Sequence, residues 1–310
     1  MHKGILFILL SGACFFVVNF FVKILGPGQN ELFGELQSYP GHELVLARSL
    51  VSIALSLFVI KRRKIPVFGN NKKWLIIRGF SGTIALTIFF YTLHYLPLAL
   101  AATIQYLSPI FTVILAIILL KEKVYTLQWI FIGVSFLGVG IIGISKVFDS
   151  GQNLEEISFF WLLLGIISAA FSGLAYTAIM KLKTTDKPIT IVFYFPLIAI
   201  PFMTILCLFH SFTIPNGIEW LFLLIIGVFT QLAQILLTKA LHEGSASLIM
   251  PFQYVGAIYA FVIGYSVFNE KLSFIINIGI ALILFGVIIN VILRRRKLEN
   301  VKFNLRHGKH

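Results

Sequence analysis

The chain has 310 residues, 58% of them hydrophobic and only 12% charged, with a formal net charge of +13. A soluble domain carries about 25% charged residues. With 31 Phe and a mean hydropathy of +0.95, this composition excludes a water-soluble globular protein and makes lipid the main solvent.

Apolar runs of about 20 residues follow one another from end to end, each long enough to cross roughly 30 Å of hydrocarbon. They cover about 3–25, 42–60, 74–94, 97–119, 126–146, 159–181, 189–209, 217–239, 246–268 and 273–293. None alternates as a barrel strand does, so the runs predict ten transmembrane helices. The first opens like a secretory leader, with His2 and Lys3 before an apolar core, but FFVVNFFVKIL continues past Cys14. That outruns the core of about 7–15 residues in a cleaved signal, and the run is read as a spanning helix. Cys14 and Cys207 both fall inside spans, and no metal or disulfide spacing exists among Cys and His. No cofactor and no metal are expected.

Between the runs, basic and non-basic loops alternate. KRRKIPVFGNNKK after the second run holds six basic residues and no acid, Lys121 and Lys123 follow the fourth, Lys181, Lys183 and Lys187 follow the sixth, and RRRK opens the tail at 294. The loops 26–42, 147–158 and 210–219 carry Glu or Asp and no Lys or Arg. This positive-inside pattern predicts both termini in the cytoplasm. It assigns the surplus charge to topology and to anionic lipid head groups on the cytoplasmic side rather than to nucleic acid.

The chain also repeats itself. At an offset of 148, Gln105-Tyr106 falls on Gln253-Tyr254, Gly79 on Gly227, Leu93-His94 on Leu241-His242, and Lys121-Glu122-Lys123 on Asn269-Glu270-Lys271. With five spans per copy, the second copy must enter the membrane upside down. The expected fold is therefore all-α and integral to the membrane, with ten helices as two inverted five-helix repeats. The boundaries expected are 1–146 and 159–293 for the repeats, 147–158 for an extracytoplasmic linker and 294–310 for a basic cytoplasmic tail.

Three stretches carry a family likeness: ELVLARSLVSIALSL with Arg48, IIRGFSG at 76–82, and ALAATIQYLSPIFTVILAIILLKEK with the Gly-rich run to 142, repeated over 239–289. In these the chain resembles the drug/metabolite transporter superfamily, in its ten-helix EamA-type branch. The second copy departs from the first in having Ala257 where Pro109 stands, and Pro251 two residues before its Gln. The resemblance implies a bacterial inner-membrane secondary transporter, most often an exporter.

Candidate site residues come from the rare polar groups within spans. Gln105 and Gln253 each lie near the bilayer centre, and Pro109 cannot donate to the Gln105 carbonyl. Such groups are tolerated only against protein or a wet cavity, so Gln105, Tyr106, Gln253 and Tyr254 are expected to line a substrate cavity; interhelical hydrogen bonding is the competing role. Arg48, some six residues into the second helix, suits a carboxylate or phosphate. Arg78 is placed at the cytoplasmic mouth, and with Lys23 and Lys239 it stands close enough to a helix end to reach the interface. His94 and His242 are read as interfacial.

All 12 acidic residues fall in loops or at helix ends, which removes the intramembrane carboxylate that a proton-driven exporter of cations needs. The cargo expected is a small polar metabolite, an amino acid or organic anion, moved by alternating access; the protein is expected as a monomer or homodimer. A nucleotide-sugar carrier of the same superfamily, and a channel or membrane scaffold, are the rival readings. No catalytic cluster can be assembled, so no enzyme is expected.

Overall fold

The computed structural model describes residues 2–27, 36–121, 159–209 and 212–244, with short stretches between 130 and 141 and between 249 and 289. The long helices among these are α1 (His2–Ile24), α2 (Gly41–Arg62), α3 (Lys72–Tyr95), α4 (Leu98–Gln105), α5 (Ser108–Leu120), α6 (Phe159–Leu182), α7 (Pro188–Phe209) and α8 (Glu219–Glu243). With α4 and α5 joined in one span, they make seven helices long and apolar enough to cross a membrane. Among the described residues the protein is all-helical, with the make-up of an integral membrane protein. The expected fifth, ninth and tenth spans fall largely outside the described residues.

Polarity runs inside out. Helix α2 buries Arg48, Ser49, Ser52 and Ser56 while it exposes Leu50, Leu57 and Phe58. At the end of α7, Leu208 and Phe209 are 80% and 78% exposed. Lipid solvates such side chains as well as a core would, so helices associate through small and polar residues instead. Glycines set the closest approaches. A Cβ on Gly227 of α8 would stand 2.5 Å from Val51 Cβ of α2, and one on Gly79 of α3 would stand 2.7 Å from the Tyr194 carbonyl oxygen of α7.

Residue pairs fix the helix directions. Phe21 packs on Phe222 and Ser11 donates to the Ala233 carbonyl, so α1 and α8 are antiparallel. Ser168 donates to the Ala85 carbonyl and Trp161 stacks on Tyr95 at 4.2 Å, so α3 and α6 are antiparallel too. In contrast, Val51 meets Gly227 and Ser56 meets Gln231, a parallel pairing of α2 with α8. Gly79 meets Tyr194 and Phe80 meets Phe202, a parallel pairing of α3 with α7.

The fourth span differs from the single helix expected. It breaks at Tyr106 and Leu107, where the Leu107 N–H donates to Ile104 and the Ile110 N–H to Leu107, i→i−3 bonds that tighten the chain into a turn before α5 begins. Pro109 supplies the reason, because its nitrogen has no hydrogen to continue the α-helical ladder to Gln105; as the second residue of α5 it starts a helix well instead.

Two loop pairs fasten opposite ends of the bundle. At one end the Glu219 carboxylate accepts from the Gln37 N–H at 2.6 Å, the Gln37 amide at 3.2 Å, the Tyr39 hydroxyl at 2.5 Å and the Asn216 N–H at 2.7 Å. Glu43 beside it accepts from the Thr213 N–H at 3.3 Å. Burial first, then the hydrogen bond and charge of Glu219, push the Tyr39 hydroxyl up, so it stays a donor at neutral pH. At the other end Asp186 accepts from the Asn70 N–H at 2.6 Å and the Asn71 N–H at 3.3 Å, while the Asn70 amide donates to the Thr185 carbonyl at 2.8 Å.

Candidate substrate cavity

A cavity of about 100 Å³ lies inside the bundle where the fourth span is broken. Described residues of α1, α2, α3, α4, α5, α6, α7 and α8 all reach it, and so does Gln253. Its walls combine aromatic rings, among them Phe15, Phe16, Phe89, Phe90 and Phe195, with polar side chains.

Of the six residues proposed from sequence, the structure brings five to this cavity: Arg48, Arg78, Gln105, Tyr106 and Gln253. Tyr254 lies outside the described residues. Gln105 is tied down on α6, its Nε2 donating to Ser172 Oγ at 2.7 Å and its Oε1 accepting from Ser168 at 3.1 Å. It therefore does the interhelical bonding weighed against a cavity role, and lines the cavity as well. Gln253 is hydrogen-bonded to the Tyr176 hydroxyl, a second lining group.

Arg78 corrects the sequence reading. It does not reach an interface but is 1% exposed, as is Arg48, and its Nη2 donates to Gln234 Oε1 of α8 at 2.7 Å. Loops from both halves meet at the start of α3, where Asp186 accepts from Asn70 and Asn71, and α7 and α8 pack against the face that carries Arg78. The Arg48 guanidinium carbon stands 4.7 Å from the Phe195 ring centroid and that of Arg78 5.9 Å from the same ring. Arg48 Nε and Nη1 and Arg78 Nε are buried without a hydrogen-bond partner. Among the described residues that line the cavity there is no Asp or Glu.

Two more residues, both read as interfacial and both in the last turn of a helix, are covered by protein. Lys23 is 6% exposed and its Nζ donates to the Leu96 carbonyl at 2.8 Å. His94 is buried with its ring nitrogen 3.2 Å from the Val22 carbonyl oxygen. Lys239, by contrast, is exposed and lies over the Phe7 ring.

Sequence reasoning missed Asn19, Tyr176 and Gln234, all of which line the cavity. Asn19 in FVVNFF and Gln234 in TQLAQILL carried the signal that singled out Gln105, an amide isolated in an apolar run.

Comparison with known proteins now decides the family. The model of the EamA-like transporter family matches residues 2–144 and again 159–292. The chain belongs to the EamA-like transporter family. It is thus a transporter of the drug/metabolite superfamily. It is similar to the pseudopaline exporter CntI of Pseudomonas aeruginosa, 27% identical over 84% of this chain and 85% of that protein. It is similar also to a riboflavin transporter of Vibrio cholerae, 27% identical over 86% and 85% of the two chains, and to an S-adenosylmethionine uptake transporter of Rickettsia prowazekii, 22% identical over 84% and 85%. A crystal structure superposes with a TM-score of 0.69 over 96% of this chain and 99% of that one, at 16% identity, which speaks to the fold alone. Family and relatives' names point to transport, not to catalysis.

Proposed function

We propose that this protein is a secondary transporter of the bacterial inner membrane that moves a small polar metabolite, an amino acid or organic anion, by alternating access. The observation that carries the reading is the cavity at the broken fourth span, closed in by helices from both halves of the chain and holding two buried arginines. Discontinuous helices at a repeat interface are where such carriers bind their cargo. The inverted repeat is supported by the packing: exchanging α1, α2 and α3 with α6, α7 and α8 turns the antiparallel α1·α8 contact into α6·α3, and the parallel α2·α8 contact into α7·α3. The repeated pair Gly79 and Gly227 stands at the two contacts so exchanged. The alternating charge of the loops supports cytoplasmic termini.

The relatives' printed cargoes differ from one another, so they support transport more than any one substrate. Export is favoured by the likeness to the pseudopaline exporter. The test is flux in proteoliposomes loaded with amino acids and organic acids. Saturable flux, accelerated by unlabelled solute on the far side, is the expected result. Linear, unsaturable flux or single-channel conductance would turn the reading into a channel, and competition by nucleotides would turn it into a nucleotide-sugar carrier.

A further inference from the structure

Resting on that reading, we infer that the cavity is a site for a solute with two negative charges, a dicarboxylate or a phosphate monoester, with Arg48 as its anchor and Arg78 as its second, substitutable contact. A singly charged, zwitterionic or neutral solute leaves the site unbalanced.

Arg48 and Arg78 are guanidinium cations sealed from water, gathered around one Phe195 ring. A buried cation costs several kcal/mol unless a charge answers it, and the lining groups among the described residues are neutral amides, hydroxyls and rings. Arg48 is the more open of the two. Neither its Nε nor its Nη1 has a partner, so two of its nitrogens keep N–H groups that a carboxylate or phosphate oxygen can accept from.

Arg78 differs in having one neutral acceptor already, Gln234 Oε1 at 2.7 Å. An amide oxygen satisfies the hydrogen bond without cancelling the charge, so Gln234 holds the guanidinium in position and leaves it attractive to an anion. The second negative group of the solute then meets Arg78. A zwitterionic amino acid would bring an ammonium group into the same positive chamber, where no described carboxylate receives it. That narrows the cargo from amino acid or organic anion to the latter.

The test compares succinate, butyrate, alanine and putrescine as probes, by isothermal titration and thermal stabilisation of the purified full chain in a gluconate buffer, with flux of the same four solutes measured in proteoliposomes. Succinate is expected to bind most tightly, butyrate roughly tenfold to a hundredfold more weakly, the size expected for one lost bond to a charged group, and alanine and putrescine weakest. Arg48→Gln should weaken succinate by a similar factor, and Arg48→Lys by less. Because Arg48→Gln removes buried volume packed on Phe90 and Phe195 and can fail to fold, the decisive variant is Gln234→Glu. It is nearly isosteric, supplies Arg78 with a carboxylate, and should raise the thermal stability of the ligand-free protein while abolishing the preference for succinate over butyrate. A wild-type protein that binds alanine or putrescine as well as succinate overturns the inference, as does a Gln234→Glu protein with an undiminished preference. Saturable flux of alanine with no charge preference would overturn it while leaving the transporter reading standing; absence of saturable flux for all four solutes would strike that reading instead, whatever the binding order.

Discussion

Gly79 and Gly82 lie one turn apart on α3, yet an added methyl group meets different obstacles at each. At Gly79 it presses on the Tyr194 backbone oxygen at 2.7 Å and on Ile198. Backbone cannot swing away, so Gly79→Ala should separate α3 from α7 and cost about 1–3 kcal/mol, the usual penalty of overpacking. At Gly82 the methyl group meets Nη1 of Arg78, the far end of a flexible side chain, and the Phe195 ring edge at 3.0 Å. Gly82→Ala should therefore fold with a melting temperature near wild type while it pushes the Arg78 guanidinium aside and weakens solute binding. Thermal melting and transport, measured on both variants, check the pair: a Gly82→Ala protein that transports normally would mean that Arg78 has no part in binding. The burial of Arg78 is itself what sequence could not supply. A basic residue seven positions into a helix looks free to reach the head groups, and only the packing of α3 against α7 and α8 turns Arg78 inward, onto Phe195 and Gln234.

At the scale of the element, the fourth span shows both the reach and the limit of the sequence. Spans were legible because lipid demands about 20 apolar residues whatever the cargo, and the observed ends of α1, α2, α3, α6 and α7 fall within a residue or two of the expected ones. Pro109 marked the place of the interruption. It did not reveal its form, because whether a missing donor kinks, breaks or merely loosens a helix depends on who else can bond the freed groups. Here α6 holds the end of α4 beside the break, through Ser168 and Ser172 on the Gln105 side-chain amide. Pro109→Ala restores the missing N–H and should let α4 run into α5. A continuous helix gains stability from a residue worth up to about 3 kcal/mol more than proline in a helix interior, but it reshapes the cavity floor. The expected outcome is an unchanged or higher melting temperature with transport reduced at least about tenfold; normal transport would show that the break is incidental. Ser172→Ala, which removes the acceptor of Gln105 Nε2, should give a weaker version of the same loss.

For the whole molecule, the two fastened ends matter most. Neither was legible in the sequence: Tyr39, on a loop, and Glu219, the first residue of α8, are far apart along the chain with no shared pattern, and only folding lays the α1–α2 loop across the start of α8. The geometry is reciprocal. One end binds the first loop of the first half to the second loop of the second half through Glu219; the other binds the second loop of the first half to the first loop of the second half through Asp186. In a carrier that rocks its halves about a central cavity, these fastenings must release in turn. Each depends on a carboxylate that accepts from several donors, and charge-assisted bonds of that kind contribute about 1.5–3 kcal/mol each. Glu219→Gln has one oxygen for four donors and turns an N–H₂ toward the rest, so it should loosen the extracytoplasmic end of the proposed orientation. Asp186→Asn should loosen the cytoplasmic end in the same way. A reporter is available at Gly12, which lines the cavity and where an added Cβ meets nothing within 4 Å. With Cys14 and Cys207 replaced by Ala, Gly12→Cys can be labelled by a membrane-impermeant maleimide in vesicles of either orientation. Glu219→Gln should speed labelling from outside and Asp186→Asn from inside. If both substitutions speed labelling from the same side, the two fastenings do not act as opposed gates, and the inverted arrangement of the halves would have to be given up with them.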